Sequence, residues 1–430
     1  MEFQTLKRSH LKRNIIVGVL VLGIISAVVL NFTRAKYRTT QSIPLVNGII
    51  NYSPGDIIIS AYFNNELLEN FPTKDDEYAV ETVTCDNGAS ATFNEKEWKL
   101  EIDNLVTRGT KCNIYFREKE YAKDFILAGK EILTRDNFEI AIDYNTNGTI
   151  FEDKDDDGTT YYFAGNTTEN YLQFGGFYWR IVRINGDNSI RIIYQGTSAD
   201  STGSAASIGH TDFNPITDNM YVGYMYASNE VHGLSNDSTI KKVVDDWYEE
   251  NLYNTEYENY IDVDAGFCGD RDPYLRDSEN EYIPGGGTGT TTTYYGAAYR
   301  VYKKHQPTFI CKYTEDLYTT KFSFKGNKVL KYPIGLITAD EVYYAGSKTS
   351  TENDYYLITG EDFWTISPLG FWADMKKDIR VFTVYASGEL DYIGIQSTDG
   401  AVRPVINLKA DIKLIGSGIM SDPYRIKGAE

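Results

Sequence analysis

Residues 174–194, F-G-G-F-Y-W-R-I-V-R-I-N-G-D-N-S-I-R-I-I-Y, constrain the fold most: two runs of β-branched and aromatic residues flank the polar tetrad Asn185-Gly186-Asp187-Asn188. That pattern specifies an antiparallel hairpin. Alternation along an extended strand sends Phe177, Trp179 and Ile181 to one face and Tyr178, Arg180, Val182 and Ile184 to the other. In the second run Ile190, Ile192 and Tyr194 share a face, opposite Arg191. Each strand thus reads as having one apolar side, with Arg180, Arg183 and Arg191 as charges that discourage ribbon aggregation. Two- and four-residue loops both fit the tetrad, so the register stays open. A lone hairpin is marginal in water, and its apolar face needs cover from elsewhere in the chain.

At 430 residues the chain exceeds one ordinary core, so two or more folded units are expected. Net charge is −19, and beyond residue 38 there are 35 basic against 60 acidic residues. A body of that sign repels phosphate backbones, which argues against nucleic acid as a partner. Tyrosine is abundant, 35 against 20 Phe, which suits cross-strand packing and equally a recognition surface.

Residues Ile15–Phe32 are almost wholly apolar. Eighteen helical residues reach about 27 Å, enough to cross a bilayer core. Lys7, Arg8, Lys12 and Arg13 precede the segment, against Arg34, Lys36 and Arg38 after it, which favours a cytoplasmic tail over residues 1–14. A cleaved signal peptide is the alternative, though Thr33-Arg34-Ala35 is a poor cleavage site. The expectation is a single-pass membrane protein with its C-terminal domains extracellular.

The four cysteines allow three disulfide connectivities, and none forms a C-x-x-C pair. Cys85–Cys112 with Cys268–Cys311 is the pairing that crosses no domain boundary. Between residues 42 and 118, strand-like runs at Asp56–Phe63, Glu77–Cys85, Trp98–Ile102 and Cys112–Phe116 recur at about ten-residue spacing, which predicts a small β-sandwich spacer. There a Cys85–Cys112 bridge would join the two sheets. Residues 118–135 have helical spacing, so 119–158 reads as a connecting helix and an acidic loop. Asp153, Asp155 and Asp157 match the opening of a calcium loop, but Ala164 stands where the bidentate Glu belongs, and a solvated acidic turn is the favoured reading.

In residues 159–430, Ile240, Val243, Val244 and Trp247 make a helical stripe capped by Ser238 or Asp237. Thr338-Ala339-Asp340-Glu341 is a capping box for a short helix that Gly346 can end. Strands are expected at Tyr355–Leu357, Phe363–Ile366, Ile379–Tyr385, Leu390–Ile395 and Val402–Leu408. Tyr294, Tyr295, Tyr299 and Tyr302 lie close to Arg300, Lys303, Lys304 and His305. This basic, tyrosine-bearing patch on an acidic protein is the candidate ligand surface, with Tyr294, Tyr295, Tyr299, Arg300 and Tyr302 as its contacts. Cross-strand packing is its competing explanation.

F-Y-W-R-I-V-R-I at 177–184, G-L-I-T-A-D-E-V at 335–342, F-W-T-I-S-P at 363–368 and V-R-P-V-I-N-L at 402–408 form a set. It resembles a bacterial surface-protein domain related to the formylglycine-generating-enzyme branch of the C-type-lectin-like fold. The resemblance covers about residues 159–430 and implies a mixed antiparallel core with two helices and long loops. It also implies structural roles for Trp179, Trp247, Trp364 and Arg403. It carries no reaction over: those enzymes use two cysteines close together, and Cys268 and Cys311 are 43 positions apart. Sugar-binding C-type lectins hold calcium through E-P-N or Q-P-D motifs, and Gln306-Pro307-Thr308 lacks the carboxylate.

The fold class expected is therefore α+β, mostly β: a transmembrane helix, a β-sandwich and a C-type-lectin-like domain with long loops. The function expected is a membrane-anchored extracellular binding module, with no cofactor, that recognises a protein or envelope glycan. A self-associating envelope component and an exported enzyme with a loop-assembled site are the alternatives. No H-E-x-x-H or G-x-S-x-G pattern supports the last.

Overall fold

The computed structural model describes residues 41–429 apart from 46–47, 53–56, 74–77, 95–97, 104–108, 119–120, 216–222, 350 and 374–377. The chain divides into two units, Met1–Lys119 and Glu120–Glu430. The apolar stretch 15–32 lies outside the described residues, among which no helix is long and apolar enough to cross a membrane.

The first unit contains β1 (Gln41–Leu45), β2 (Gly48–Tyr52), β3 (Ile58–Phe63), β4 (Glu66–Leu67), β5 (Tyr78–Cys85), β6 (Ser90–Asn94), β7 (Lys99–Asp103) and β8 (Lys111–Glu118). They form two four-stranded sheets, ordered β1-β2-β7-β6 and β4-β3-β8-β5. In β8, Cys112, Ile114 and Phe116 are buried and the residues between them are not, which is the period of two. Ile114 and Phe116 share a core with Trp98 and Leu100, so both sheets contribute to it. Trp98 donates its indole N–H to the Pro72 carbonyl at 2.8 Å, which satisfies its one polar atom. Cys85 and Cys112 are directly opposed on β5 and β8, with Cα atoms 4.1 Å apart. The bridge therefore joins neighbouring strands of one sheet, not two sheets as expected.

The second unit begins earlier than position 159. Only Ala122–Leu127 (α1) is helical, because Gly129 takes a φ of +75° and turns the chain into an extended path. Residues Glu131–Thr134 become β9, a parallel neighbour of β10 (Thr149–Asp155). Segment 120–158 thus belongs to this unit's main sheet rather than being a connector. The acidic loop is the turn between β10 and β11 (Gly158–Tyr162). After β12 (Tyr171–Phe174), the hairpin forms as β13 (Phe177–Ile184) and β14 (Ile190–Gly196). Ile184 pairs with Ile190, leaving five residues in the loop rather than two or four, with Asn188 at φ +68°.

The chain continues through β15 (Met225–Tyr226), β16 (Asn236–Asp237), α2 (Thr239–Asn251), β17 (Phe267–Cys268), β18 (Pro273–Arg276), β19 (Tyr282–Pro284) and β20 (Thr293–Tyr295). Then come β21 (Leu317–Tyr318), β22 (Ile334–Gly335), α3 (Ala339–Ala345), β23 (Phe363–Trp372), β24 (Asp378–Val384) and β25 (Leu390–Gly394). The last strands are β26 (Val405–Leu408), β27 (Leu414–Ile415) and β28 (Tyr424–Ile426). A ten-stranded sheet runs β22-β26-β14-β13-β11-β10-β9, with β12, β28 and β27 branching from β13. A six-stranded sheet runs β19-β18-β20-β23-β24-β25. The protein is mostly β, with several sheets.

Both faces of the hairpin are covered. Trp247 of α2 packs against Phe177, Trp179 and Tyr194. The three arginines are not solvent-facing charges: Arg180 is 4%, Arg183 9% and Arg191 1% exposed. Arg180 donates to Asn170 Oδ1 and to the Thr167 carbonyl, both at 2.7 Å. Arg183 and Arg191 converge on Glu341, whose Oε1 lies 3.0 Å and 2.5 Å from their Nε atoms. The same carboxylate closes the capping box of α3, accepting the Thr338 N–H at 3.0 Å. Burial alone would raise the Glu341 carboxyl; Arg191 and Arg183 outweigh it and hold it below the ordinary range. Tyr355–Leu357 is a turn rather than a strand, because the carbonyls of Tyr356 and Leu357 accept from Arg180 and Arg403 instead of a ladder.

Removing one partner of a buried ion cluster costs about 3–5 kcal/mol. Glu341→Ala is expected to lower the unfolding free energy of the second unit by that amount, read as a lower urea midpoint in tryptophan fluorescence. Glu249→Ala, which breaks an exposed pair with Lys331, is expected to leave the midpoint unchanged.

Candidate ligand-binding groove

The six-stranded sheet presents a groove of about 670 Å³, within the usual range for ligand sites. Cross-strand pairing places Tyr294, Gly370, Arg380 and Gly394 in one row across β20, β23, β24 and β25. Side chains in a row share a face, so the two glycines leave a trough between the larger groups. A Cβ at Gly370 would lie 2.9 Å from the Thr293 carbonyl, closer than a real Cβ tolerates, so glycine here lets β20 and β23 pack together.

Aromatic rings wall the trough. Tyr294 stands edge-on to Trp372 at 5.4 Å and to Tyr282 at 5.5 Å. The Arg276 guanidinium lies 5.9 Å from the Tyr282 ring centre and 5.7 Å from that of Tyr294. Arg380 lies 5.0 Å from Trp372 and 4.9 Å from Tyr392. These contacts hold the cations in place at modest cost. Lys303 adds a third positive charge, paired with Glu281 at 2.6 Å, and Arg380 pairs with Asp378 at 2.7 Å. Arg276 is exposed and has no ion-pair partner among the described residues. Asp391 is the one carboxylate lining the groove, and burial pushes its pKa up.

Of the five sequence-predicted contacts, Tyr294 and Tyr302 line this groove. Tyr299 stands behind it, stacked on Tyr274 at 4.9 Å and against Tyr282 at 5.3 Å. Tyr295 is 1% exposed and belongs to the core. Arg300 faces elsewhere: it donates to Asp340 Oδ1 at 2.8 Å and also bonds Asp270. Arg276, Tyr282, Trp372, Arg380 and Tyr392 were not singled out from sequence. They reach the groove through the order of the sheet, which no local pattern carries; Gly370 and Gly394 inside strand runs were the available hint.

A second cavity, of about 70 Å³, is lined by Cys268, Cys311, Asp270, Arg300 and Asp340 among others. It has room for roughly five waters. The disulfide Cys268–Cys311, with Cα atoms 5.6 Å apart, lies on its wall. The acidic turn supplies part of the lining, yet its carboxylates go to separate partners. Asp153 accepts from the Tyr344 hydroxyl at 2.7 Å, Asp155 from Arg183 at 2.8 Å, and Asp157 pairs with Lys325 at 2.5 Å. Among the described residues no group of three His, Cys, Asp or Glu is placed to hold a metal. Asp340, beside Glu341 at the start of α3, carries its own duty: besides Arg300 it accepts the Thr308 N–H at 2.9 Å.

Comparison with known protein families, curated proteins and solved structures returns no match.

Burial, with Asp340 as a nearby like charge, raises the Asp270 pKa to about 7 despite Arg300. The native state therefore keeps a proton that the unfolded chain releases near pH 4. This contribution to stability is fully present below about pH 4 and is lost as pH rises through about 7. Urea midpoints measured from pH 4.5 to 7.5 should decline less steeply for Asp270→Asn than for the unsubstituted protein. A residual slope from Asp262, raised by burial to about 6, is expected in both.

Proposed function

We propose that the chain is a membrane-tethered, exported binding module whose second unit, a C-type-lectin-like head, holds an envelope glycan in the aromatic groove. The carrying observation is the groove on the six-stranded sheet lined by Tyr282, Tyr294, Trp372 and Tyr392. Such rings offer flat apolar area to the C–H faces of a sugar, and tyrosine hydroxyls add polar contacts at the edges. Two disulfides support an oxidising location, and the apolar segment Ile15–Phe32 supports a tether. The first unit serves as a β-sandwich spacer in this reading. A mostly-β second unit, with α2 and α3 and long irregular loops, is compatible with the resemblance of residues 159–430.

A second reading, an exported hydrolase, draws on a single observation: Asp270 and Asp340 meet at one guanidinium on the lining of a cavity. Two carboxylates facing one site are what acid–base hydrolysis uses. Here both are already engaged by Arg300, which favours a structural ion cluster.

Full-length protein in detergent micelles, applied to an array of bacterial and plant polysaccharide fragments, is expected to bind a subset of them. Trp372→Ala should weaken that binding about tenfold or more, since a central aromatic anchor contributes over ~1.4 kcal/mol. Absence of binding to every saccharide would defeat the reading.

A further inference from the structure

Resting on the glycan-binding reading, we infer that the groove selects anionic saccharides, with Arg276 and Arg380 as the groups that receive the acidic substituent. The observation is one cation left over. Among the described residues Lys303 pairs with Glu281 and Arg380 with Asp378, while Arg276 on the groove lining pairs with no carboxylate. A neutral sugar gains nothing from a lone guanidinium, whereas an acidic one supplies its missing partner.

The way the arginines are held sharpens the point. Tyr282 and Tyr294 flank the Arg276 guanidinium, and Trp372 and Tyr392 flank that of Arg380. A ring takes up the flat side of a guanidinium and leaves its N–H edge available. That edge matches a carboxylate or a phosphate through two parallel hydrogen bonds. Arg276, which no carboxylate pairs among the described residues, has that capacity unspent. Arg380 shares its own with Asp378 and acts as the secondary contact. A sugar ring against Trp372 and Tyr294 then brings its acidic substituent to a fixed cation.

An acidic peptide would satisfy the charge but not the rest. Peptides commonly bind a sheet by adding a strand at its edge. Of the sheet's two edges, β19 is three residues long and ends in Pro284, which has no N–H to give, and β25 is the five-residue edge at which the poly-glutamate probe below tests for strand addition.

Isothermal titration of the full chain in micelles tests this with four probes: oligogalacturonate, poly(glycerol phosphate), a neutral dextran oligomer and poly-glutamate. The expected result is that at least one anionic carbohydrate polymer binds about tenfold or more tighter than dextran, and that added salt weakens it. Arg276→Ala should remove about tenfold of that affinity, and Arg276→Lys should recover only part of it. Preference for the galacturonate identifies a carboxylate ligand, and preference for the glycerol phosphate a phosphate ligand; either supports the inference. Equal binding of dextran, with Arg276→Ala without effect, overturns anionic selection while leaving the groove a glycan site. Poly-glutamate binding as tightly as the best saccharide overturns the saccharide assignment. No saccharide binding overturns the reading beneath it.

Discussion

The second unit depends on one buried carboxylate. Glu341 caps the N-terminus of α3, and through Arg183 and Arg191 it neutralises both strands of the central hairpin. Each bond alone is ordinary. Together they fix the helix against the ten-stranded sheet, because neither guanidinium can leave without abandoning a buried negative charge. Arg183 also reaches Asp155, so the β10–β11 turn is tied to the same node. Two further buried arginines manage without a carboxylate. Arg403 donates to the carbonyls of Tyr194 and Leu357 and lies 4.7 Å from the Phe363 ring, while Arg180 uses carbonyls and the Tyr171 ring 3.9 Å away. Burial lowers their pKa values to about 9 and about 10, still above neutrality, so both remain cations held by dipoles and ring faces.

That dependence marks where sequence reading succeeds and where it fails. The hairpin, the Ser238 cap, the capping box at Thr338 and the strand runs of the first unit are legible because each rests on spacing within a few residues. The burial of Arg180, Arg183 and Arg191 is not legible. An alternating strand with a charge on one side looks half-exposed, and for Arg183 and Arg191 only Glu341, 158 and 150 positions away, reveals otherwise. The same limit split residues 118–135. Helical spacing persisted past Gly129, but pairing with β10 competed for Ile132 and Leu133 and won them as strand.

The groove shows the limit in a different form. A cluster of Tyr and basic residues at 294–305 signalled the right neighbourhood, and two of the five named residues line it. The rest of the cluster divides by the geometry of its elements. Tyr295 alternates inward from Tyr294 on β20, as the period of two requires. Tyr299–Lys304 is a wide helical turn, so Arg300 projects to the Asp270–Asp340 side while Tyr302 and Lys303 reach the groove. Tyrosine abundance was ambiguous for a physical reason: rings such as Tyr295 pack in the core, while Tyr282, Tyr294, Tyr302 and Tyr392 line the groove.

The two cavities also separate charge that is spent from charge that is available. Around the 70 Å³ cavity, Arg183, Arg191, Arg300 and Lys325 each contact at least one carboxylate within 3.1 Å. Their electrostatic energy is committed to holding the fold, and a ligand there would have to break a native pair before making a new one. In the groove, Arg276 rests on rings alone. Ring contacts position a guanidinium without neutralising it, so an incoming anion meets a cation already ordered and still unpaired. Preorganisation without neutralisation is what separates Arg276 from the paired cations of the cavity beside the disulfide, and it is the reason the proposed site is the groove on the six-stranded sheet.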